Sequence, residues 1–422
     1  MATIVFFNIP AYGHTNPTLG VVAELVQRGN NVHYYSFDEF KARIEATGAH
    51  FISCDGYDVG IKQSDAARVA KDMRFSTELI VRATLAMDEQ LMRDMSELAP
   101  DCIVADSVAY WGKLIAHKLH IPFVSSTTTF AFNSKSSAIM KPSFCNMIKI
   151  LFDVPKTTAI LAPLRKKGYE AHTIFDIVQN TNDTNTVVYT SKLFQPCADS
   201  FSSAYHFVGP VLRTRTEKIE KKREKLVYIS LGTVDTLHTG FYKNCIDALC
   251  KSNIHVIMSC GKQTDIIALQ QHAAQQQLAI SRQNNILQHS SSAVRQLGDT
   301  PSSSAHFDIE MSVDQIAVLE KADMFLSHCG MNSANESLYF GVPLVLFPQT
   351  TEQNGVANRI AQLGAGIFLK RNTARTIRNA IETVLASKSY KENARKIGES
   401  FRQSGGAHEA ARVIEAVAKQ RK

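Results

Sequence analysis

Short apolar runs alternate with amphipathic stretches along most of this 422-residue chain. The runs Thr3 to Ile9, Asn31 to Phe37, His50 to Cys54, Asp101 to Ala105 and Phe123 to Ser126 read as strands. Between the first two, Leu19, Val22, Ala23 and Val26 fall at i, i+3, i+4 and i+7. That spacing predicts a helix from Pro17 to Arg28, closed by Gly29. The pattern restarts with a strand at Leu226 to Leu231, a helix from Phe241 to Lys251 and a strand from His255 to Cys260. Further on, Phe325 to Ser327 ends a strand and Asn332 to Phe340 reads as a helix. Gly341 and Pro343 stop that helix before a strand at Leu344 to Phe347. Helices starting at Thr373, Tyr390 and Ala407 complete the chain. Strands separated by helices imply βαβ units, so the expected fold class is α/β, with parallel sheets in two successive halves.

The charged stretch Arg213 to Lys225, RTRTEKIEKKREK, lacks the apolar period needed to bury a face and reads as an exposed linker. It divides the chain into residues 1–212, a 213–225 linker, residues 226–405 and a terminal segment 406–422. From Gly261 to Phe307 the composition turns to Gln, Ser and Asn, which suggests a mobile insertion. Gln271 to Gln277 could still form a helix within it, since Ala and Gln are adequate helix formers.

Composition changes this picture little. With 45% hydrophobic and 20% charged residues there is ample core, and a net charge of +7 suits an anionic small molecule as well as nucleic acid. The eight cysteines never form a CxxC pair and read as reduced thiols rather than a zinc site or a disulfide framework. The start MATIVFFNIPAYGH lacks a basic signal with a long apolar core, and no run approaches the roughly 18 apolar residues needed to cross a bilayer. A cytoplasmic protein is therefore expected, and the acceptor patterns at Asn182 and Asn335 match glycosylation only formally.

The chemistry concentrates in two turns. In FLSHCGMNSANESLYFGVPLVLFPQTTEQ, Phe325 to Gln353, His328 to Gly330 form the turn between a strand and a helix. The first-turn amides of such a helix lack internal partners and carry the positive end of its dipole, so a phosphate fits there. Glu336, one turn on, can accept hydrogen bonds from ribose hydroxyls. The second turn is NIPAYGHTNP, where His14 follows the first strand beside Gly13 and would face the crevice at the sheet edge. Asp106 ends the strand DCIVAD and emerges on the same edge, where a carboxylate would fix the imidazole tautomer and stabilise the imidazolium. The loop SLGT, with Gly232 and Thr233, follows the first strand of the second half and could add a hydroxyl and a close backbone approach. A dehydrogenase would want GxGxxG after its first strand, and a P-loop protein GxxxxGK[ST]; this chain has neither.

The Phe325 to Gln353 segment resembles, nearly position by position, the donor signature of UDP-dependent glycosyltransferases built from two facing Rossmann-like domains with a central cleft. The likeness extends over most of the chain and is nearest to the macrolide and natural-product glycosyltransferases. It implies that His328, Gly330, Asn332 and Ser333 meet the diphosphate, that Glu336 holds the ribose, and that Glu352 and Gln353 meet the sugar hydroxyls. It implies further that His14 is the general base and that Asp106, within DSVAYWGK, is its partner. The terminal helix Ala407 to Lys419 would pack back on the first domain. A neutral imidazole, with an ordinary pKa near 6.5, is available at pH 7 to take the acceptor's proton. Attack opposite the leaving UDP would invert the anomeric centre. With no DxD sequence, the helix dipole and His328 would take the place of a metal ion.

Where the family usually has an aromatic residue followed by VPQ, this chain reads SVDQ, with Ser312 and Asp314 in the changed places and Gln315 left to meet the base or ribose. Phe75, Phe130, Phe132, Phe144 and Phe152 fall where the family builds its acceptor pocket. The expected activity is transfer of a hexose, glucose first, from a UDP-sugar to small hydrophobic hydroxyl compounds. No metal or other cofactor, nucleic acid or membrane span is expected. The alternatives are a catalytically silent nucleotide-sugar-binding protein and a nucleotide-sugar epimerase of the same architecture.

Overall fold

The computed structural model describes residues 1–57, 68, 72–137, 153–214, 217–232, 239–261, 265–290 and 304–421. They form two compact units. Met1–Arg213 and Ser400–Lys422 make one, and Thr214–Glu399 the other.

The first unit is a seven-stranded sheet of β1 (Thr3–Phe7), β2 (Asn31–Ser36), β3 (His50–Ser53), β4 (Cys102–Asp106), β5 (Phe123–Thr127), β6 (Thr186–Val188) and β7 (Tyr205–Phe207). The spatial order is β3-β2-β1-β4-β5-β6-β7, and every pairing is parallel. Successive residues of one strand feed opposite faces, which is why the strands read as unbroken apolar runs. Val5, Phe7, Ile103 and Ala105 pack with helices α2 (Met73–Leu98) and α3 (Tyr110–Lys118). Ile4, Phe6, Cys102 and Val104 pack with α1 (Tyr12–Gln27) and with the terminal helix Gly406–Ala418.

Helix α1 begins at Tyr12, five residues before the expected Pro17, and takes that proline inside it. The amides of His14 and Thr15 both donate to the Ala11 carbonyl, so the first turn closes ahead of the proline. Strands β6 and β7 were absent from the sequence reading because they are three residues each, too short to show a period.

The second unit is a six-stranded parallel sheet of β8 (Lys225–Ser230), β9 (Ile254–Ser259), β10 (His306–Glu310), β11 (Met324–Ser327), β12 (Leu344–Leu346) and β13 (Gly366–Phe368). Its order is β10-β9-β8-β11-β12-β13. The segment expected to be a mobile insertion contains helix Ile266–Ser290, with Leu269 and Ala273 in the core, followed by β10. It is a βαβ crossover whose polar face carries the glutamines. The charged linker is likewise engaged rather than exposed throughout. Lys221 and Lys222 pair with Asp323 and Asp308, so most of this stretch belongs to the second unit. At the other boundary, Phe401 packs edge-on against Phe194, which places the chain from Ser400 onward with the first unit. The seven described cysteines are free thiols, and among the described residues no helix is long and apolar enough to cross a membrane.

Lys113, in α3, is buried, and its ammonium donates to the carbonyls of Asp176, Ile177 and Gln179 at 3.0, 3.1 and 2.6 Å. Burial pulls its pKa down to about 8, and the three acceptors lie at the end of the short helix Ile174–Val178, where a cation is favoured. Replacing it by a side chain of similar volume leaves those acceptors without a donor. Lys113→Met should lower the unfolding free energy by about 1–3 kcal/mol in urea titrations; an unchanged midpoint would show that the acceptors find other partners.

Candidate active site

In each unit the strand order reverses beside the first strand, between β1 and β4 in one and between β8 and β11 in the other. The loops leaving those strands diverge to opposite faces and open a crevice at their carboxyl ends. Each unit places its candidate histidine there.

In the first unit the turn after β1 is held by Asn8, 1% exposed. Its amide nitrogen donates to Tyr34 Oη at 2.8 Å and to the His14 carbonyl at 3.2 Å, and its Oδ1 accepts from the Ile9 amide at 2.8 Å. Thr18 and Tyr34 hydroxyls meet at 2.6 Å and close the network. His14, so fixed in the first turn of α1, directs Nδ1 to Asp106 Oδ2 at 2.8 Å. The Asp106 side chain is fully buried, whereas that of His14 is 22% exposed. A carboxylate at that distance accepts the Nδ1 proton, so the neutral ring carries its lone pair on Nε2. Asp106 also accepts from the Val108 amide through Oδ1 at 2.9 Å, while the N-cap of α3 is Ala109. It therefore both shapes the turn before α3 and orients the imidazole. Thr128, just past β5, brings its hydroxyl to 3.2 Å from the same Nδ1. Sequence reading missed it, because a threonine after an apolar strand carries no pattern of its own.

In the second unit β11 leads through His328, Cys329 and Gly330 into helix Met331–Tyr339, whose N-cap Gly330 supplies no side-chain cap. Cys329 has φ 65°, an uncommon conformation for a residue with a Cβ, and it turns the chain sharply enough to point the following amides outward. The His328 ring lies between two glycines. A Cβ at Gly232, itself at φ +80°, would lie 2.7 Å from His328 Nε2, and one at Gly330 would lie 2.6 Å from the same atom. Both positions therefore require glycine if the Nε2 edge is to stay open. Among the described residues Nδ1 is buried without a hydrogen-bond partner of normal geometry, and burial lowers the pKa to about 4, against a smaller upward effect of the Ser230 backbone. The ring is neutral at pH 7.

Asn332 and Ser333 occupy the first turn of the same helix, and Glu336 the next. Gln315 links them. Its Nε2 donates to a Glu336 carboxylate oxygen and, at 3.3 Å, to Ser333 Oγ, while its Oε1 accepts from Tyr228 Oη at 3.1 Å. The unusual Asp314 is the N-cap of helix Gln315–Lys321. Oδ1 accepts from the Ile316 and Ala317 amides and Oδ2 from the Glu217 amide, so its charge is engaged by backbone donors. Ser312 is exposed.

Glu352 and Gln353 lie in the first turn of helix Thr351–Gln362. Thr350 and Gln353 form a capping box in which Gln353 Oε1 accepts from the Gln349 and Thr350 amides at 2.7 and 3.2 Å. The second unit thus gathers Gly232, Gln315, His328, Gly330, Asn332, Ser333 and Glu336 around one switch point. Thr233 lies outside the described residues.

The aromatic candidates do not behave as one group. Phe130 is buried and packs against Phe194, so it belongs to the core rather than a pocket wall. Phe132 is 42% exposed, and Phe75, in α2, lies under the Arg68 guanidinium. Phe144 and Phe152 lie outside the described residues.

A family model described as UDP-glucoronosyl and UDP-glucosyl transferase matches residues 313–403. The NDP-glycosyltransferase YjiC of Bacillus subtilis (strain 168) is 32% identical over 99% of this chain and 97% of its own length. The oleandomycin glycosyltransferase of Streptomyces antibioticus is 26% identical, covering 98% of this chain and 90% of its own. Among solved structures, the calicheamicin glycosyltransferase CalG4 matches with a TM-score of 0.76 at 25% identity, over 100% of this chain and 99% of that one.

The low pKa of His328 fixes the sign of its effect on stability. The folded state holds the ring neutral while the unfolded chain protonates it near 6.5, so stability present above that pH is lost as pH falls toward 4. Between pH 7 and 4 the wild type should lose up to about 3 kcal/mol more unfolding free energy than His328→Asn. Parallel stability curves for the two proteins would contradict it.

Proposed function

Since the chain belongs to the family of UDP-glucuronosyl and UDP-glucosyl transferases and is a glycosyltransferase, we propose that it moves a hexose, glucose first, from a UDP-sugar to a hydroxyl group of a small hydrophobic acceptor. The observation that carries this reading is the 2.8 Å contact between His14 Nδ1 and the buried Asp106 carboxylate. With its proton held on Nδ1, the ring takes the acceptor's hydroxyl proton on Nε2 as that oxygen attacks the anomeric carbon. Asp106 stabilises the imidazolium that results. The bond from C1 to the departing phosphate oxygen breaks as the new C1–O bond forms, so the displacement is single and inverts the anomeric configuration.

The leaving diphosphate gathers charge, and donors already in place for it are commonly the largest catalytic contribution. His328 and the first-turn amides of helix Met331–Tyr339, whose N-cap Gly330 offers no side-chain cap, are proposed as such donors. A metal ion is not required in this scheme. The Gln315, Ser333 and Glu336 network suits a ribose and its base, Glu336 accepting from hydroxyls while Gln315 holds the carboxylate in place. Glu352 and Gln353 are assigned to the sugar. An apolar acceptor agrees with two relatives, the oleandomycin glycosyltransferase of Streptomyces antibioticus and the zeaxanthin glucosyltransferase of Pantoea ananas.

The test is incubation of the purified protein with UDP-glucose and a panel of phenolic, macrolide and steroid alcohols in the presence of EDTA, followed by mass spectrometry. A gain of one hexose is expected. His14→Ala should lower turnover by about 10²–10⁴-fold with UDP affinity retained. Turnover equal to wild type in that variant would remove His14 from the mechanism, and dependence on an added divalent ion would overturn the metal-free scheme.

A further inference from the structure

At the amino end of the second sheet, remote along the strands from the His328 turn, two histidines and an aspartate meet on a β platform. His255 on β9 and His306 on the edge strand β10 are direct cross-strand partners, and Asp308 follows His306 by two residues on the same face. We propose that His255, His306 and Asp308 form a binding site for a divalent transition-metal ion of the zinc or cobalt class, for which the Lys222 ammonium is the competing occupant. Among the described residues this is the one group whose His, Cys and carboxylate donor atoms gather closely enough, all within 4.8 Å of one another.

The spacing fits such an ion. His255 Nε2 lies 2.8 Å from Asp308 Oδ2 and His306 Nε2 lies 3.0 Å from Asp308 Oδ1. A tetrahedral zinc ion with bonds of about 2.0–2.1 Å sets its ligands about 3.3 Å apart, so the two histidine–aspartate separations lie near that value and the two imidazoles, within 4.8 Å of each other, must close on the ion. Two imidazole nitrogens and one carboxylate oxygen suit zinc, cobalt or nickel better than magnesium or calcium, which prefer oxygen alone. His255 is 1% exposed and forms the rigid back of the site, whereas the side chains of His306 and Asp308 are 38% and 29% exposed and leave a front open to water as the remaining ligand.

Lys222 holds the site in its closed form. Its ammonium donates to Asp308 Oδ1 and Oδ2 at 2.7 and 2.8 Å, and its backbone amide donates to His255 Nδ1 at 3.2 Å. That amide keeps the ring proton on His255 Nε2, pointed at Asp308. A metal on Nε2 moves the proton to Nδ1, where it faces the Lys222 N–H, so the segment bearing Lys222 must withdraw. The ion pair given up is half-exposed and correspondingly weak. Occupancy by the ion thus releases one of the fastenings of the charged stretch that precedes β8, with no demand on the transfer chemistry.

The test is titration of the chelator-treated full chain with Co²⁺, followed through its visible d–d bands, and with Zn²⁺ by calorimetry. One saturable site per chain is expected, with the affinity at least tenfold weaker in His306→Ala and in Asp308→Asn and several-fold tighter in Lys222→Ala. Zn²⁺ should raise the melting temperature of the wild type and not that of His306→Ala, whose partly exposed side chain can be removed without loss of the fold. Absence of saturable Co²⁺ binding, or equal affinity in wild type and His306→Ala, overturns the site. Equal or weaker affinity in Lys222→Ala overturns the competition.

Discussion

Both candidate sites depend on a single constraint of parallel sheets. Where the strand order reverses, the two adjoining connections must leave for opposite faces, and the gap between them is the one place at the sheet edge where side chains can meet a ligand. In the first unit that gap receives the turns after β1 and β4, which carry His14 and Asp106; in the second it receives those after β8 and β11, which carry Gly232 and His328. Residues separated by about ninety positions in the chain become neighbours in each case because the central strands pair directly. The continuous burial of these strands on both faces makes that pairing rigid.

The two sites handle charge differently. His14 is matched with a buried carboxylate, so it can take a proton and have the resulting cation stabilised. Among the described residues His328 has no such partner; its ring is packed between glycine backbones and kept neutral by desolvation, beside amides whose dipoles already favour an anion. The proposed base and the proposed anion receptor call for these opposite treatments, and one residue type suits both because its surroundings differ.

Much of this was legible in the chain because it rested on short-range signals. The long apolar runs marked the central strands, and the small polar residues after His328 marked the helix start. Asp106 stood out as an acid at the end of a buried strand. Other features needed the third dimension. Helix α1 starts before its proline because the Ala11 carbonyl accepts the first-turn amides, which no apolar period reveals. The Gln-rich stretch reads as a mobile insertion since its surface face dominates the composition, while the few apolar side chains that dock it, Ile266, Leu269 and Ala273, are easily overlooked. Phe130 resembles a pocket residue in sequence, and only its contact with Phe194 assigns it to the core. Thr128 is a neighbour of His14 across a strand junction that no spacing rule encodes. Asp314 looked like an intrusive charge and is a helix cap.

The capping box at the start of helix Thr351–Gln362 would give the proposed sugar contact a direction. Two main-chain amides hold Gln353 Oε1, so the carboxamide cannot turn over and its NH₂ group is the end it presents outward. Any hydroxyl meeting it must offer a lone pair, while the neighbouring Glu352 carboxylate can answer only a hydroxyl that offers its hydrogen. In the proposed sugar contact the two residues would act side by side as a polarity ruler, distinguishing ligands by which of two adjacent oxygens gives and which receives.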